Sequence, residues 1–243
     1  HPWCAIDFLT GLFMSLSTTT HVLICDELKD LNLKLDSSLR MAYALCNRKA
    51  KVFITTPKNI SLAAEIGTQK LSFQANPIQF GSKFADPKIG SNITVDANNV
   101  DVVYMRKDPP FDMNYVQTCW LLRFLPQKCL CINSPESLLN NNEKLSIGEL
   151  QKNVAPYIYS QDANTLAEFI VQKCQHNGAF DAIVKPLDLF GGQGIHRLQA
   201  DTEKDVLKKL AEITQNYSVA RLVQPFNHNI FSGEIRAFAS FGR

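Results

Sequence analysis

The chain has 243 residues, of which 45% are hydrophobic, and its 25 basic and 23 acidic side chains give a formal charge of +2. This length and apolar content suffice for one or two domains with a buried core. The balanced charge, with no basic run interleaved with aromatic residues, argues against a nucleic acid or a membrane surface as partner. Seven cysteines at irregular spacing are not typical of a disulfide framework, so we expect reduced thiols and a cytoplasmic protein.

The first twenty residues are predicted to be a leader outside the fold. The apolar stretch from Ala5 to Leu16 is too short to span a bilayer and lacks the basic residues of a secretory signal. Met14 and the Ser-Leu-Ser-Thr-Thr-Thr after it resemble a natural start, so residues 1–13 are interpreted as foreign or upstream sequence. A short ordered extension is the alternative.

Strand and helix patterns alternate over residues 21–140, which predicts an α/β domain. The predicted strands are Val22–Cys25, Lys51–Thr55, a weaker Ser72–Phe80, Val100–Met105 and Cys129–Ile132. Because Ser72–Phe80 contains Asn76-Pro77, it is predicted to be an edge strand or part of a hairpin. Helices are predicted after the capping residues Asp36-Ser37-Ser38, over 115–125, and from Ser134.

The composition changes at the asparagine run Asn140–Asn142, and we predict a second domain over residues 141–243. Its predicted elements are a strand near Pro156–Tyr159, a helix over Thr165–Gln175, a strand at Ala182–Val184, a glycine loop, a helix over Glu203–Ile213 and a strand at Arg221–Val223.

Polar residues lie where the α/β pattern places ligands. Arg106 to Asp112 follow a strong strand directly, and the carboxyl ends of strands form the usual ligand site of open α/β sheets. In the second domain, Lys185 ends a strand, and the loop Gly191-Gly192-Gln193-Gly194-Ile195 follows it. Glycines can bring backbone N–H groups close to phosphates, and a lysine adds a point charge. The loop matches neither a Walker A motif nor a Rossmann fingerprint, and on its own it is more often a plain turn.

Three further features complete the pattern. Lys144 lies in a charged segment with a helical pattern. Gln224-Pro225-Phe226 ends an apolar strand, as expected of a slot for adenine. On a predicted strand, Glu234 and Arg236 share one face, where they would hold a ribose and a phosphate or pair with each other.

Together, the order of these features resembles the nucleotide site of ATP-grasp ligases, in which two antiparallel sheets clamp ATP. The resemblance implies that Lys144 and Lys185 contact the phosphates, that Gly191 to Ile195 form the mobile loop over them, and that Gln224 to Phe226 hold the adenine. It further implies that Glu234 binds the ribose and that Arg236 is a catalytic arginine near the phosphates. The expected architecture is α/β, with an N-terminal Rossmann-like (pre-ATP-grasp) domain and an incomplete ATP-grasp domain.

Met-Arg-Lys-Asp-Pro-Pro-Phe-Asp, which starts at Met105, is similar to a signature of bacterial glutathione synthetases, as are Lys34–Ser38 and Asn140–Leu145. The resemblance covers residues 21–243. It implies the joining of γ-glutamylcysteine to glycine with ATP and Mg²⁺, in a homo-oligomer. It also implies that Ser37, Arg106 and Asp108 bind substrate.

The resemblance also implies a metal site that these residues do not supply. The family continues past the position of Arg243 with an Asp, a Glu and an Asn that hold magnesium, so no metal ligand is predicted here, and a chain ending there is expected to lack ligase activity. Three alternatives stay open: an ATP-grasp ligase for another acid, a non-catalytic nucleotide-binding module, and a Rossmann dinucleotide-binding domain.

Overall fold

A computed structural model describes residues 19–81, 84, 86–108, 110–146, 148 and 154–235. The chain divides into two compact units, His1–Asn142 and Glu143–Arg243. The first strand begins at Thr20, inside the range predicted as leader.

Unit 1 is built on one eight-stranded mixed sheet. Its strands are β1 (Thr20–Ile24), β2 (Lys51–Thr55), β3 (Ile60–Glu65), β4 (Thr68–Phe80), β5 (Pro87–Ile89), β6 (Ile93–Asp96), β7 (Val102–Met105) and β8 (Leu130–Ile132). The main strand order is β3-β4-β2-β1-β7-β8, and β5 and β6 also pair with β4. The helices are α1 (Ser37–Asn47), α2 (Met113–Leu122) and α3 (Pro135–Asn140).

The two faces of the sheet of unit 1 carry different helices. Alternation along β1 places Val22 and Ile24 in one core cluster, which includes Cys119 of α2. Leu23 and Cys25 belong to the other cluster, with residues of α1. Strand β1 runs parallel to both β2 and β7, so the order reverses between β1 and β7. This reversal opens a crevice at the carboxyl ends of these two strands, the usual position of a ligand site in such sheets.

Strand β4 differs from the prediction for Ser72–Phe80. It is 13 residues long, forms a hairpin with β3 and lies inside the sheet. The hairpin alternative is confirmed and the edge-strand alternative is wrong. Pro77 lies opposite Phe53 of β2, and the other partners of β4 change around it: β3 and β6 pair with residues up to Ala75, and β5 pairs from Ile78 onward.

Unit 2 is an antiparallel sheet with two helices on one face. Its elements are β9 (Ile158–Ser160), α4 (Ala163–Lys173), β10 (Gln175–His176), β11 (Ala179–Lys185), β12 (His196–Ala200), α5 (Glu203–Ile213) and β13 (Arg221–Pro225). Asp162 and Thr202 cap the helices by accepting from the N–H groups of Thr165 and Asp205. Leu166 and Ile170 of α4 and Val206 and Leu210 of α5 cover Ala182 and Val184 of β11. The other face of β11 carries Asp181, Ile183 and Lys185, which the helices do not cover.

The chain after β13 departs from the expected strand at Gly233–Arg236. A 3-10 turn covers His228–Ser232, and Gly233 follows with a φ of 105°. Glu234 and Ile235 belong to no strand, because this turn and the positive φ redirect the backbone. Arg236 lies outside the described residues.

Candidate functional site

Lys185 stands on the face of β11 that the helices leave open. Asp181, Ile183 and Lys185 alternate with the core residues Ala182 and Val184. Gln224 of β13 lies opposite Ile183 in the sheet register. The ammonium Nζ of Lys185 donates to Gln224 Oε1 at 2.8 Å. The lysine and the glutamine predicted for phosphate and adenine thus lie side by side.

Lys144 approaches the same face from the beginning of unit 2. It lies in a turn, whereas the sequence predicted a helical segment. Its side chain is only 15% exposed, and Nζ donates to the Leu189 carbonyl at 2.6 Å and pairs with Glu143 at 3.0 Å. Burial lowers the pKa of Lys185, and the charge of Lys144 lowers this pKa further. Two neighbouring ammonium groups that repel each other favour a multiply charged anion between them.

The glycine loop connects β11 to β12. Gly191, Gly192 and Gly194 have φ values of 59°, 83° and 65°, a region that side chains other than glycine rarely adopt. The Gln193 N–H donates to the Phe190 carbonyl at 3.0 Å, and Gly191 to Ile195 are all exposed. A Cβ atom at Gly192 would meet no atom within 4 Å, so space allows a side chain there, and the backbone conformation alone demands glycine.

The linker Gln224–Phe226 leaves the sheet beside these lysines. Gln224 is 9% exposed, and Leu222, which is buried, lies opposite Lys185. The Phe226 N–H donates to the Asp181 carbonyl at 3.0 Å, which continues the sheet for one residue beyond β13. An apolar strand end with an amide side chain offers both the packing surface and the polar groups of a nucleobase site.

A cluster that the sequence analysis missed lies next to this linker. Arg197 Nε and Nη2 donate to Asp181 Oδ1 and Oδ2 at 2.8 and 2.6 Å. His228 Nε2 lies 3.0 Å from Asp181 Oδ2. The guanidinium carbon of Arg197 is 3.7 Å from the ring centroid of Phe226. The signal was the alternation of β12, in which Arg197 and Gln199 are exposed while Leu198 and Ala200 are buried.

The predicted residues of unit 1 meet at the carboxyl edge of its sheet. Arg106 follows β7, and Ser37 and Ser38 open helix α1. Arg106 Nη2 donates to Ser37 Oγ at 2.7 Å, and Nε donates to Ser38 Oγ at 3.3 Å. An exposed serine and a half-buried arginine are thereby held together at the crevice between β1 and β7.

Asp108 belongs to the same edge through its backbone. Its N–H donates to Asp26 Oδ2 at 3.0 Å, and Lys107 Nζ pairs with Asp26 Oδ1 at 2.7 Å. Burial, followed by the charges of Asp26 and Asp36, raises the pKa of the Asp108 carboxyl. A pocket of about 420 Å³ opens beside these residues, with Asp26, Lys107 and Tyr115 in its lining.

Glu234 lies one residue after the positive φ of Gly233 and is exposed. The catalytic role predicted for Arg236 concerns a residue outside the described part of the chain. Within the described residues, no group of three or more His, Cys, Asp or Glu side chains could hold a metal ion. Six cysteines in the described part of the chain are free: Cys25, Cys46, Cys119, Cys129, Cys131 and Cys174. None of the helices in the described part of the chain has the length and hydrophobicity that spanning a bilayer requires.

The fold is similar to that of solved ATP-grasp proteins. D-alanyl-alanine synthetase A from Vibrio cholerae superposes with a TM-score of 0.51 and 13% identity, over 86% of this chain and 60% of that chain. A RimK domain ATP-grasp protein from Sphaerobacter thermophilus gives a TM-score of 0.50 and 14% identity, over 86% of this chain and 64% of that one. The predicted α/β architecture with an ATP-grasp domain is confirmed.

Family models then narrow the class. The prokaryotic glutathione synthetase N-terminal domain matches residues 20–138, and the ATP-grasp domain of the same family matches residues 143–242. The chain belongs to the prokaryotic glutathione synthetase family. Glutathione synthetases from Ralstonia nicotianae and Pseudomonas syringae pv. tomato are each 32% identical over 73% of this chain. The chain spans 52% and 53% of these two curated relatives.

Proposed function

We propose that the protein is an ATP-dependent ligase that joins γ-glutamylcysteine to glycine and releases ADP and phosphate. The observation that carries the proposal is the pair Lys144 and Lys185 beside the glycine loop, on the open face of an ATP-grasp sheet. Family membership supports the substrates. We assign nucleotide binding to residues 141–243 and substrate binding to residues 21–140.

The chemistry explains why two lysines are placed together. A carboxylate is a poor electrophile at neutral pH. Phosphorylation of the γ-glutamylcysteine carboxylate gives an acyl phosphate, which the glycine amine attacks to form the amide and release phosphate. The protein mainly positions the reactants and stabilises charge. Lys144 and Lys185 would hold the phosphates, and the loop Gly191–Ile195 would exclude water from the reacting group.

The remaining nucleotide contacts follow from the linker and the segment after it. Gln224 and Phe226, with Pro225 between them, would hold the adenine, largely through backbone groups. Glu234 would bind the ribose, and Arg236 would act on the phosphates. Magnesium would neutralise phosphate charge, but none of the residues that the structure describes forms a group suited to it, so we assign it no ligand here.

The carboxyl edge of unit 1 would bind γ-glutamylcysteine. Arg106 carries a guanidinium group suited to a carboxylate, and Ser37 already fixes its direction. Asp108, together with Asp26, supplies acidic groups suited to an ammonium group. The adjoining pocket of about 420 Å³ lies within the range of small-molecule sites.

The substrates can be tested by following ADP release from ATP with defined acid and amine pairs, in a chain extended to the full length of its curated relatives. Release that requires both γ-glutamylcysteine and glycine, with glutathione as product, is the expected result. Release with D-alanine alone would instead indicate another ATP-grasp ligase. Binding of NAD without binding of ATP would favour the dinucleotide-binding alternative.

Location and assembly complete the proposal. The free thiols of the described cysteines agree with a cytoplasmic protein. We propose a homo-oligomer on the basis of the family resemblance. Light scattering during size-exclusion chromatography would measure its molecular mass. A monomeric mass would contradict it.

A further inference from the structure

Phe226, the last residue of the proposed adenine linker, is held from three directions within unit 2. Its N–H donates to the Asp181 carbonyl at 3.0 Å. The Arg197 guanidinium covers its ring at 3.7 Å, and His228 contacts it edge-on at a centroid distance of 5.0 Å. The position of the linker therefore depends on side chains that belong to neighbouring elements.

Asp181 anchors this arrangement. It is 4% exposed, and both of its carboxylate oxygens accept from Arg197. Its hydrogen bond with Arg197 lowers the pKa of the Asp181 carboxyl, so the pair stays charged at neutral pH. A bidentate pair fixes the plane of the guanidinium as well as its position. The flat face that Phe226 contacts is thus set before any ligand binds.

The cluster stands apart from the proposed phosphate site. Asp181 and Lys185 are four residues apart on β11, which separates their Cα atoms by about 13 Å at the rise of a strand. Arg197 reaches toward Asp181 and away from Lys185, because its guanidinium pairs with the Asp181 carboxylate. Its charge is therefore directed at the Phe226 end of the linker, whereas Lys185 contacts the linker at Gln224.

We propose that Arg197 is a positioning residue for the nucleobase: Asp181 fixes its guanidinium, and the guanidinium fixes Phe226 and with it the backbone of the linker Gln224–Phe226. The inference rests on the proposed function, because it takes this linker as the adenine site. A preformed linker binds a base with less loss of conformational freedom than a mobile one, so Arg197 contributes to ATP affinity without binding the phosphates.

The test compares two ligands that share the phosphates and differ in the base. ATP and inorganic tripolyphosphate are titrated by calorimetry into the parent chain, Arg197→Met, Arg197→Lys and the surface control Lys208→Met, with thermal unfolding recorded for each. Arg197→Met should bind ATP about three- to tenfold more weakly, the range that loss of a cation–π contact implies. Its tripolyphosphate affinity should change by less than about twofold. Arg197→Lys keeps the charge and loses the planar face, so it should also lose ATP affinity.

The possible outcomes test the role of Arg197 separately from the proposed nucleotide and phosphate sites. Equal losses for ATP and tripolyphosphate in Arg197→Met, or no loss for ATP, would overturn the positioning role. If Arg197→Met does not fold, Arg197→Lys carries the test, because it keeps the charge beside Asp181 and leaves the linker residues unchanged, and the same loss confined to ATP is expected. A parent chain that binds neither ligand would refute the proposed nucleotide site itself, and a parent that binds ATP without tripolyphosphate would contradict the two-lysine phosphate site.

Discussion

Replacement of Lys185 or Lys144 by methionine tests the phosphate site most simply. Methionine retains much of the apolar stem of each lysine and removes the charge. A hydrogen bond from a charged group contributes about 1.5–3 kcal/mol. In the absence of ligand, Lys185 already donates to Gln224, and Lys144 donates to Leu189, so each lysine exchanges one bond for another when phosphate binds. The lower end of the range, about 1.5 kcal/mol, therefore applies.

This value corresponds to a loss of about tenfold in ATP affinity for each single substitution. The assay is calorimetric titration with ATP, combined with thermal unfolding without ligand. Lys208→Met is the matched control, because Lys208 is exposed on α5, whose opposite side packs on the sheet through Val206 and Leu210. The control should bind ATP as the parent does.

The unfolding data separate a binding role from a structural one. Burial and the charge of Lys144 disfavour the ammonium form of Lys185, so Lys185→Met should unfold at the same temperature as the parent or higher. If Lys144→Met and Lys185→Met both bind ATP with parental affinity, the proposed phosphate site is wrong, and the proposed ligase loses its main chemical support.

Three further predictions concern the loop, the substrate edge and pH. Gly192→Val should weaken ATP binding far more than Gly178→Val does. Both glycines have a positive φ and open space around them, so the two substitutions should lower thermal stability by similar amounts. Equal ATP affinities of the two variants would indicate that the loop is a plain turn. Arg106→Met should weaken γ-glutamylcysteine binding in calorimetry by about tenfold. The control Arg123→Met, which removes an exposed ion pair, should leave this affinity unchanged. Equal affinities of the two variants would show that Arg106 does not bind the substrate. Because folding lowers the pKa of Lys185 from 10.5, the charge of this lysine destabilises the folded chain at pH 7 and no longer does so above pH 10.5, where the side chain is neutral in both states. In urea denaturation, the stability of Lys185→Met relative to the parent should therefore fall as the pH rises from 7 to above 10.5. A difference that stays constant with pH would contradict the burial of the charge.

The sequence predicted those elements whose signals are local. The Asp36 carboxylate caps α1 by accepting from the Leu39 N–H, as the Asp-Ser-Ser pattern indicated. The apolar run after Thr20 became a strand with neighbours on both sides, as its continuous hydrophobicity suggested. Strands β3, β5 and β6 were missed because they are partly or largely exposed and depend on pairing with β4. These strands are stabilised by pairing with β4, and the sequence of each segment alone gives no sign of that pairing.

The candidate site shows the same division. Lys185 and the glycines could be found because a strand, a lysine and a turn follow one another in the chain. The contact between Asp181 and Arg197 joins residues 16 positions apart and depends on the register of β11 and β12. The bond from Lys144 to Leu189 spans 45 positions. Such pairings are set by the tertiary structure, so the sequence shows the residues but does not indicate which of them pair.

The central claim is that the nucleotide binds on the open face of the sheet of unit 2. A crystal structure of the chain with a non-hydrolysable ATP analogue tests it directly. We predict that the base lies against the backbone of Gln224–Phe226 and that the phosphates contact the ammonium groups of Lys144 and Lys185. An analogue bound at the carboxyl edge of the sheet of unit 1, beside Asp26 and Arg106, would contradict a nucleotide site in unit 2.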